Sequence, residues 1–398
     1  MTTTGIIVEF NPFHHGHAAH ITETRALTGC KYIVAAMSGN FVQRGEPAIC
    51  NKWKRTEMAL KNGVDVVIEI PLPYVISGAD YFARGSVGLL AATGVVDALC
   101  FGSECGDLPQ IMAAGHVLAE EPPLYKAVLR SGLDKGLSFA AAKGAALEAC
   151  LDDGLNPGHG APVACSGLLT QPNNGLAMEY CKALRLLGSP MDVFTTHRPG
   201  GGPSATTTRQ RLLAGDQVGD VLPQNVVDIL QTTAKLAKLD DFSDIFRYLL
   251  YAQSNADGFG EGLGNRFKRL CGEFTQISDL LAAVKTKRYT YTRLQRAVIK
   301  LLLNVTTQDM DVFDACGGVQ YIRVLGFRKE AAGLVGHMVR RASLPLMTHG
   351  RVMDDILQAG GPAAQMLAGE LAAGDIYRIA SGEGGGYRSE RGMGMMVI

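Results

Sequence analysis

His14 and His17 stand three residues apart in IIVEFNPFHHGHAAHI, with Gly16 between them, giving an HxGH pattern directly after an apolar run and an Asn11-Pro12 turn. This placement reads as the start of a helix. A helix N-terminus presents free N–H groups and the positive end of the peptide dipole, and a glycine there lets a nucleotide come close to the backbone. Imidazole donors spaced by three residues can then hydrogen-bond phosphate oxygens and stabilise charge as pyrophosphate departs. The same pair could instead ligate a metal or lie at the surface. The strand and turn ahead of it favour the nucleotide.

Such a site needs a sheet behind it. Short, almost continuously apolar runs at Gly5–Phe10, Tyr32–Met37, Val64–Ile70 and Ala98–Phe101 read as strands covered on both faces. Segments of crossover length, His17–Thr28, Lys52–Lys61 and Ala79–Ala92, separate them. The expected class is α/β, a Rossmann-like parallel sheet in βαβ units. A helix-rich stretch, Leu108–Asp152, follows, then a fifth strand-like run at Met191–Phe194 and the Gly-rich loop HRPGGGPS. From about Val221 the chain takes helical spacing. The expected division is a catalytic unit at 1–220, a mainly helical unit at 221–380, and a mobile Gly-rich tail at 381–398.

The 398 residues balance 38 Lys and Arg against 38 Asp and Glu, with 47% hydrophobic and 19% charged residues, which excludes a wholly disordered chain. No apolar run reaches the roughly 18 residues of a membrane span. MTTTGIIVEF lacks a basic and apolar leader and runs straight into strand-like sequence, so a cytoplasmic location with no membrane partner is expected. Nine scattered cysteines without CxxC spacing read as reduced, mostly buried thiols.

Eight ordered segments carry a resemblance to a known family. They are VEFNPFHHGHAAH, MSGNFVQRGEP, KWKRTEMAL, GVDVVIEIP, ADYFARGSV, FGSE, PNN with Glu179 and Tyr180, and KTKRYTYTRLQR. Strand, HxGH and βαβ continuation resemble the HIGH-type nucleotidyltransferase superfamily, and the set resembles the bacterial tRNA(Met) cytidine acetate ligases. The resemblance implies a two-step reaction. ATP and acetate give acetyl-adenylate and pyrophosphate, and the acetyl group passes to N4 of the wobble cytidine of elongator tRNA(Met). Mg2+ is expected to accompany ATP.

Carried over by residue, the resemblance implies an ATP site formed by Ile7, Val8, Glu9, Phe10, Asn11, Pro12, Phe13, His14, His15, Gly16, His17, Ala18, Ala19 and His20. Gly102, Asn173 and Arg198 complete it, with His14 and His17 catalytic. Gly102 would admit the adenine or ribose, Asn173 would read an adenine edge, and Arg198 would hold ribose or phosphate by its planar fork. PSATTTR is similar to the superfamily's second signature, which adds Ser204 and Arg209 to the phosphate contacts. Pro203, Thr208 and Gly175 depart from the pattern. Glu9 and Glu104, at strand ends, are candidates to hold magnesium or tune a histidine, or for structural hydrogen bonds. Lys52, Arg55, Arg44 and Arg84 either line the anion pocket or are solvated charges.

Lys285–Lys300 holds six basic residues, two tyrosines and no acid, a composition that suits an RNA backbone. Lys285, Lys287, Arg288, Arg293 and Arg296 are the expected tRNA contacts, with Tyr289 or Tyr291 available for stacking. A helix from Leu294 would also bury Leu294, Val298 and Leu301. Two competing functions remain at this point: a nucleotidyltransferase acting on a small phosphorylated metabolite, and a non-catalytic RNA-binding protein.

Overall fold

The computed structural model describes residues 2–152, 168, 171–198, 205–252, 262–286, 289–382 and 389–398. Among the described residues there are ten strands: β1 (Thr3–Val8), β2 (Tyr32–Ser38), β3 (Phe41–Val42), β4 (Glu46–Pro47), β5 (Val66–Ile70), β6 (Ala98–Ser103), β7 (Asp192–His197), β8 (Ile322–Phe327), β9 (Leu346–Met347) and β10 (Met396–Val397). The main sheet runs β10-β8-β5-β2-β1-β6-β7, with β9 also on β8, while β3 and β4 form a separate hairpin. Every pairing in the main sheet is parallel except β5 with β8. The expected α/β class is the observed one.

Alternation along the strands builds two cores, one on each face. In β2, Ile33, Ala35 and Met37 join Ile6, Val8 and Val67 beneath the helices His15–Thr28 and Lys52–Lys61. Tyr32, Val34 and Ala36 face the other way, onto Leu89 and Leu90 of helix Ala79–Ala92. Each fully buried aliphatic side chain contributes roughly 1.5–3 kcal/mol. Nearly continuous apolarity in the sequence reflects this double coverage.

The first strand ends at Val8, two residues before the expected end, because Phe10 takes a left-handed φ of 46° that an extended strand does not allow. The helix-rich stretch resolves into Leu108–Glu120, Pro123–Asp134 and Phe139–Asp152, and Pro172–Leu187 packs beside the first of these.

The later region departs from expectation in one respect. It is mainly helical, yet β8 enters the catalytic sheet, with Arg323 opposite Glu69 in register. The tail expected to be mobile is anchored where it is described: β10 pairs with Gly326 and Phe327, and Glu390 is buried. A buried ionic cluster explains the anchoring. Lys52 Nζ lies 2.6 Å from Glu69 and 2.7 Å from Glu390, while Arg323 reaches Glu370 at 3.2 Å and Glu390 at 3.0 Å. Tyr321 donates to Glu370 at 2.9 Å. Gly374 leaves the room that Glu390 fills, since a Cβ there would stand 2.6 Å from Glu390 Cγ.

Candidate active site

The HxGH residues occupy the carboxyl end of β1, where a parallel sheet opens its ligand crevice. Phe10 and Phe13 are buried and form an apolar floor, with ring centroids 4.9 and 5.6 Å from that of His17. His14 is the N-cap of helix His15–Thr28, and its backbone N–H donates to Nδ1 of His17 at 3.2 Å. That bond makes Nδ1 the acceptor and leaves the His17 proton on Nε2. The two imidazoles stack, 3.6 Å between centroids and 20° between planes. His15 is exposed, its N–H donated to Val221 O at 3.0 Å. One turn on, His20 Nδ1 lies 2.8 Å from Thr196 Oγ1 on β7.

Burial, together with the positive charge of Arg198, holds these rings neutral. It brings His14 and His20 down to about 4 and His17 well below the usual histidine range, where His14 and His20 add to the effect. As neutral rings they can donate hydrogen bonds while carrying no charge until an anion arrives.

Arg198 follows β7, its N–H donating to Ser103 O at 2.8 Å. Its side chain is exposed, and its guanidinium makes no hydrogen bond or ion pair among the described residues. The stem lies over Gly102, where a Cβ would come within 2.9 Å of Arg198 Cδ. In this structure the space above Gly102 therefore serves Arg198.

Asn173 and Glu104 belong to one interlock. Glu104 accepts from the backbone N–H of Asn173 at 3.1 Å and of Asn174 at 2.8 Å, capping helix Pro172–Leu187, and from Asn173 Nδ2 at 2.6 Å. In return Asn174 Oδ1 accepts from the N–H groups of Glu104 and Cys105 at 2.9 and 3.2 Å. Glu104 takes the structural role, and the Asn173 amide nitrogen is committed to it. Asn174, which sequence reasoning passed over within PNN, closes the lock.

Arg209 of helix Ala205–Ala214 reaches back to the HxGH turn, donating to Asn11 O at 3.1 Å and to Glu46 at 3.0 Å. Asn11 Oδ1 in turn accepts from Ile49 N–H at 2.7 Å. Arg209 thus supports the turn from the β3–β4 hairpin. Ser204 lies outside the described residues.

Four other charges sort differently from one another. Lys52 is buried in the ionic cluster, and Arg55 is buried among carbonyl oxygens of Glu9, Ser38, Gly39 and Cys50. Arg84 pairs with Asp314 at 2.9 Å, and Arg44 is exposed. Glu9 accepts from Gln43 N–H at 2.6 Å, and burial raises its carboxyl above the usual range.

The basic segment is tied to the same framework. Helix Tyr291–Leu302 buries Leu294, Val298 and Leu301 as expected, and Gln295 donates to Glu46 at 2.8 Å. Gly45 adopts φ 78°, and a Cβ there would stand 2.4 Å from Arg296 N, so the hairpin and helix touch backbone to backbone. Arg296 donates to Gln43 O at 3.3 Å and is partly buried; Lys285 and Arg293 are exposed. Tyr289 is buried with Arg293 over its ring at 4.9 Å, which withdraws it from stacking on RNA, whereas Tyr291 remains exposed. Lys287 and Arg288 lie outside the described residues.

The HIGH Nucleotidyl Transferase family model matches residues 1–389. The tRNA(Met) cytidine acetate ligase of Caldanaerobacter subterraneus subsp. tengcongensis is 38% identical over 96% of both chains. That of Acetivibrio thermocellus is 35% identical over 95% of this chain and 94% of its own. Among solved structures, Thermotoga maritima TmcAL bound with alpha-thio ATP superposes with a TM-score of 0.91 at 30% identity, covering 100% of each chain.

Proposed function

Because the chain belongs to the tRNA(Met) cytidine acetate ligase family of HIGH nucleotidyl transferases, we propose that it activates acetate with ATP and transfers the acetyl group to N4 of the wobble cytidine of elongator tRNA(Met). The stacked pair His14–His17 beside the Arg198 guanidinium, which has no partner among the described residues, carries this reading. An acetate oxygen attacks the α-phosphorus, a new P–O bond forms, and the bond to pyrophosphate breaks. The cytidine amine then attacks the acetyl carbon, AMP leaves, and the amine gives up a proton. Adenylation is needed because acetate itself would have to expel oxide.

The residues divide along those steps. Phe10, Phe13 and the Arg209–Glu46 contact hold the turn, the His15 end of the helix faces anions with its dipole, and His14, His17 and Arg198 meet the charge that develops on departing pyrophosphate. Both Glu104 oxygens are committed to a helix cap. Magnesium is expected to come with ATP, where it would neutralise phosphate charge. The exposed Lys285 and Arg293 supply phosphate contacts for the RNA.

Purified protein incubated with ATP, labelled acetate and total tRNA should yield labelled N4-acetylcytidine by nucleoside mass spectrometry. ATP turnover dependent on a small phosphorylated metabolite, with no labelled nucleoside, would select the competing transferase reading.

A further inference from the structure

Residues 243–300 contain ten Lys and Arg against five Asp and Glu, leaving 28 against 33 for the rest of the chain. A neutral protein thus gathers its positive charge in one region. Aromatic exposure concentrates there as well. Tyr248, Tyr251 and Tyr291 are three of the four exposed aromatic side chains among the described residues, the fourth being Phe139.

Tyr248 and Tyr251 are 71% and 66% exposed and stand three residues apart on helix Ser243–Ala252, hence on one face. The opposite face buries Phe246 and Leu250, and Phe246 packs edge-on against Phe267 at 5.9 Å, fixing helix Leu263–Leu270 alongside. That second helix ends in Lys268 and Arg269, with Arg269 exposed. The Tyr251 hydroxyl sits 3.7 Å from where a Gly272 Cβ would be, just beyond them. Arg247 lies between the tyrosines and Asp244, which it meets only at 3.8 Å.

We propose that the face carrying Arg247, Tyr248, Tyr251 and Arg269 holds unpaired loop nucleotides of the RNA substrate, the tyrosines stacking on bases and the guanidinium groups meeting phosphates. This rests on the tRNA reading above and extends it to residues outside Lys285–Lys300. Charge selects the occupant: a polyanion with exposed aromatic bases matches exposed rings set among cations in the most basic stretch of the chain. The face is also mechanically coupled to the crevice. Helix Ser243–Ala252 packs on helix Tyr291–Leu302, which is bonded through Gln295 and Glu46 to Arg209 and so to Asn11 of the HxGH turn.

The test uses the full chain, a tRNA(Met) transcript and three double variants checked for folding by circular dichroism. Tyr248→Ala with Tyr251→Ala should weaken tRNA binding about tenfold per ring, with an unchanged salt slope and the effect in KM for tRNA rather than kcat. Tyr248→Phe with Tyr251→Phe should bind within about twofold of the parent, because the stacking face is kept. Arg247→Ala with Arg269→Ala should instead flatten the salt dependence by roughly one to two units of slope. Parental KM and affinity in the Tyr→Ala pair, in a parent that makes N4-acetylcytidine, would overturn this surface and leave the ligase reading intact. Equal losses in the Phe and Ala pairs would also overturn it, since the rings would then be structural. A change of oligomeric state in the Ala pair would assign the face to a second copy instead. A parent that neither binds tRNA nor acetylates it would overturn the ligase reading and this surface together.

Discussion

Two places near the carboxyl ends of the central strands gather charge, and they treat it oppositely. In the cluster of Lys52, Glu69, Arg323, Glu370 and Glu390, every ion has a counter-ion within 3.4 Å and all are buried. In the crevice, Arg198 has no counter-ion among the described residues, and His14, His17 and His20 are held neutral around it. A satisfied network fastens chain to chain: here it joins β5, β8, helix Gly361–Ser381 and the C-terminal residues. An unsatisfied one is prepared for an anion. The distinction lies in partners, because the residue types alone, cations beside a strand end, are the same in both.

Breaking the satisfied cluster should have the largest effect. Lys52→Met keeps the packing volume but leaves three carboxylates with one guanidinium, and removing one partner of a buried ionic group costs about 3–5 kcal/mol. Chemical denaturation should show that loss, with the transition beginning at markedly lower denaturant. A Lys52→Met protein as stable as the parent would mean that solvent reaches the cluster.

Next comes the crevice itself. His17→Ala, and with it His14→Ala, should leave folding intact and lower acetyl-adenylate formation about a hundredfold, or roughly 3 kcal/mol, as when a transition-state donor is lost. Near-parental turnover in the folded double variant would remove both rings from the chemistry. Arg198→Ala should act on ATP binding, by about 1.5–3 kcal/mol for a charged hydrogen bond. Unchanged nucleotide affinity in a titration would place Arg198 outside the pocket.

The legibility of the molecule follows the same division. HxGH after an apolar strand could be read because local spacing sets both the helix start and the meeting of His14 with His17. The parallel sheet could be read because double-sided burial leaves continuous apolar runs. β8 and β10 could not: IRVLGF sits among helical stretches, and MMVI ends a glycine-rich tail whose order depends on Glu390 meeting Lys52 and Arg323 from far along the chain. Lys52 and Arg55 look like surface charges of an amphipathic helix, and only the fold supplies the carboxylates and carbonyls that bury them. Asn174 gave no signal that separated it from Asn173. Arg296 looked like its neighbours until its partner, Gln43 O, came into place.

Within the satisfied cluster a milder change tests the balance of charge. Burial and the nearby Glu370 push Glu69 up to about 7, above its ordinary 4.5. Between those values the folded protein keeps a proton that the unfolded chain has released, so this group lowers stability as pH rises through the window. Glu69→Gln leaves two cations facing two carboxylates. It should change stability by about 1 kcal/mol or less at high pH, where the loss of a Lys52 partner and the relief of carboxylate repulsion oppose one another, and it should flatten the pH dependence between those values. An unaltered slope would assign that titration to another group.

The smallest effect, and the one that separates the two regions most sharply, is a fraction of a proton. Burial, with the charge of Arg198 adding to it, depresses His14 and His20 to about 4, so near pH 7 the free crevice holds neutral rings. A triphosphate placed beside them brings negative charge, which favours the protonated imidazole and raises those values. By linkage, ATP binding then takes up protons, and affinity rises as pH falls towards the values reached in the complex. Calorimetry at about pH 6 in two buffers of different ionisation enthalpy reads this uptake directly, and subtracting the result for His14→Gln with His20→Gln removes the titration of the γ-phosphate. Arg198→Ala should move the uptake to higher pH, because without its charge the rings are less depressed in the free crevice and in the complex alike. Equal proton counts for the parent and the double-Gln variant would mean that the bound phosphates stand away from the imidazoles, leaving Arg198 and the helix dipole alone to hold them.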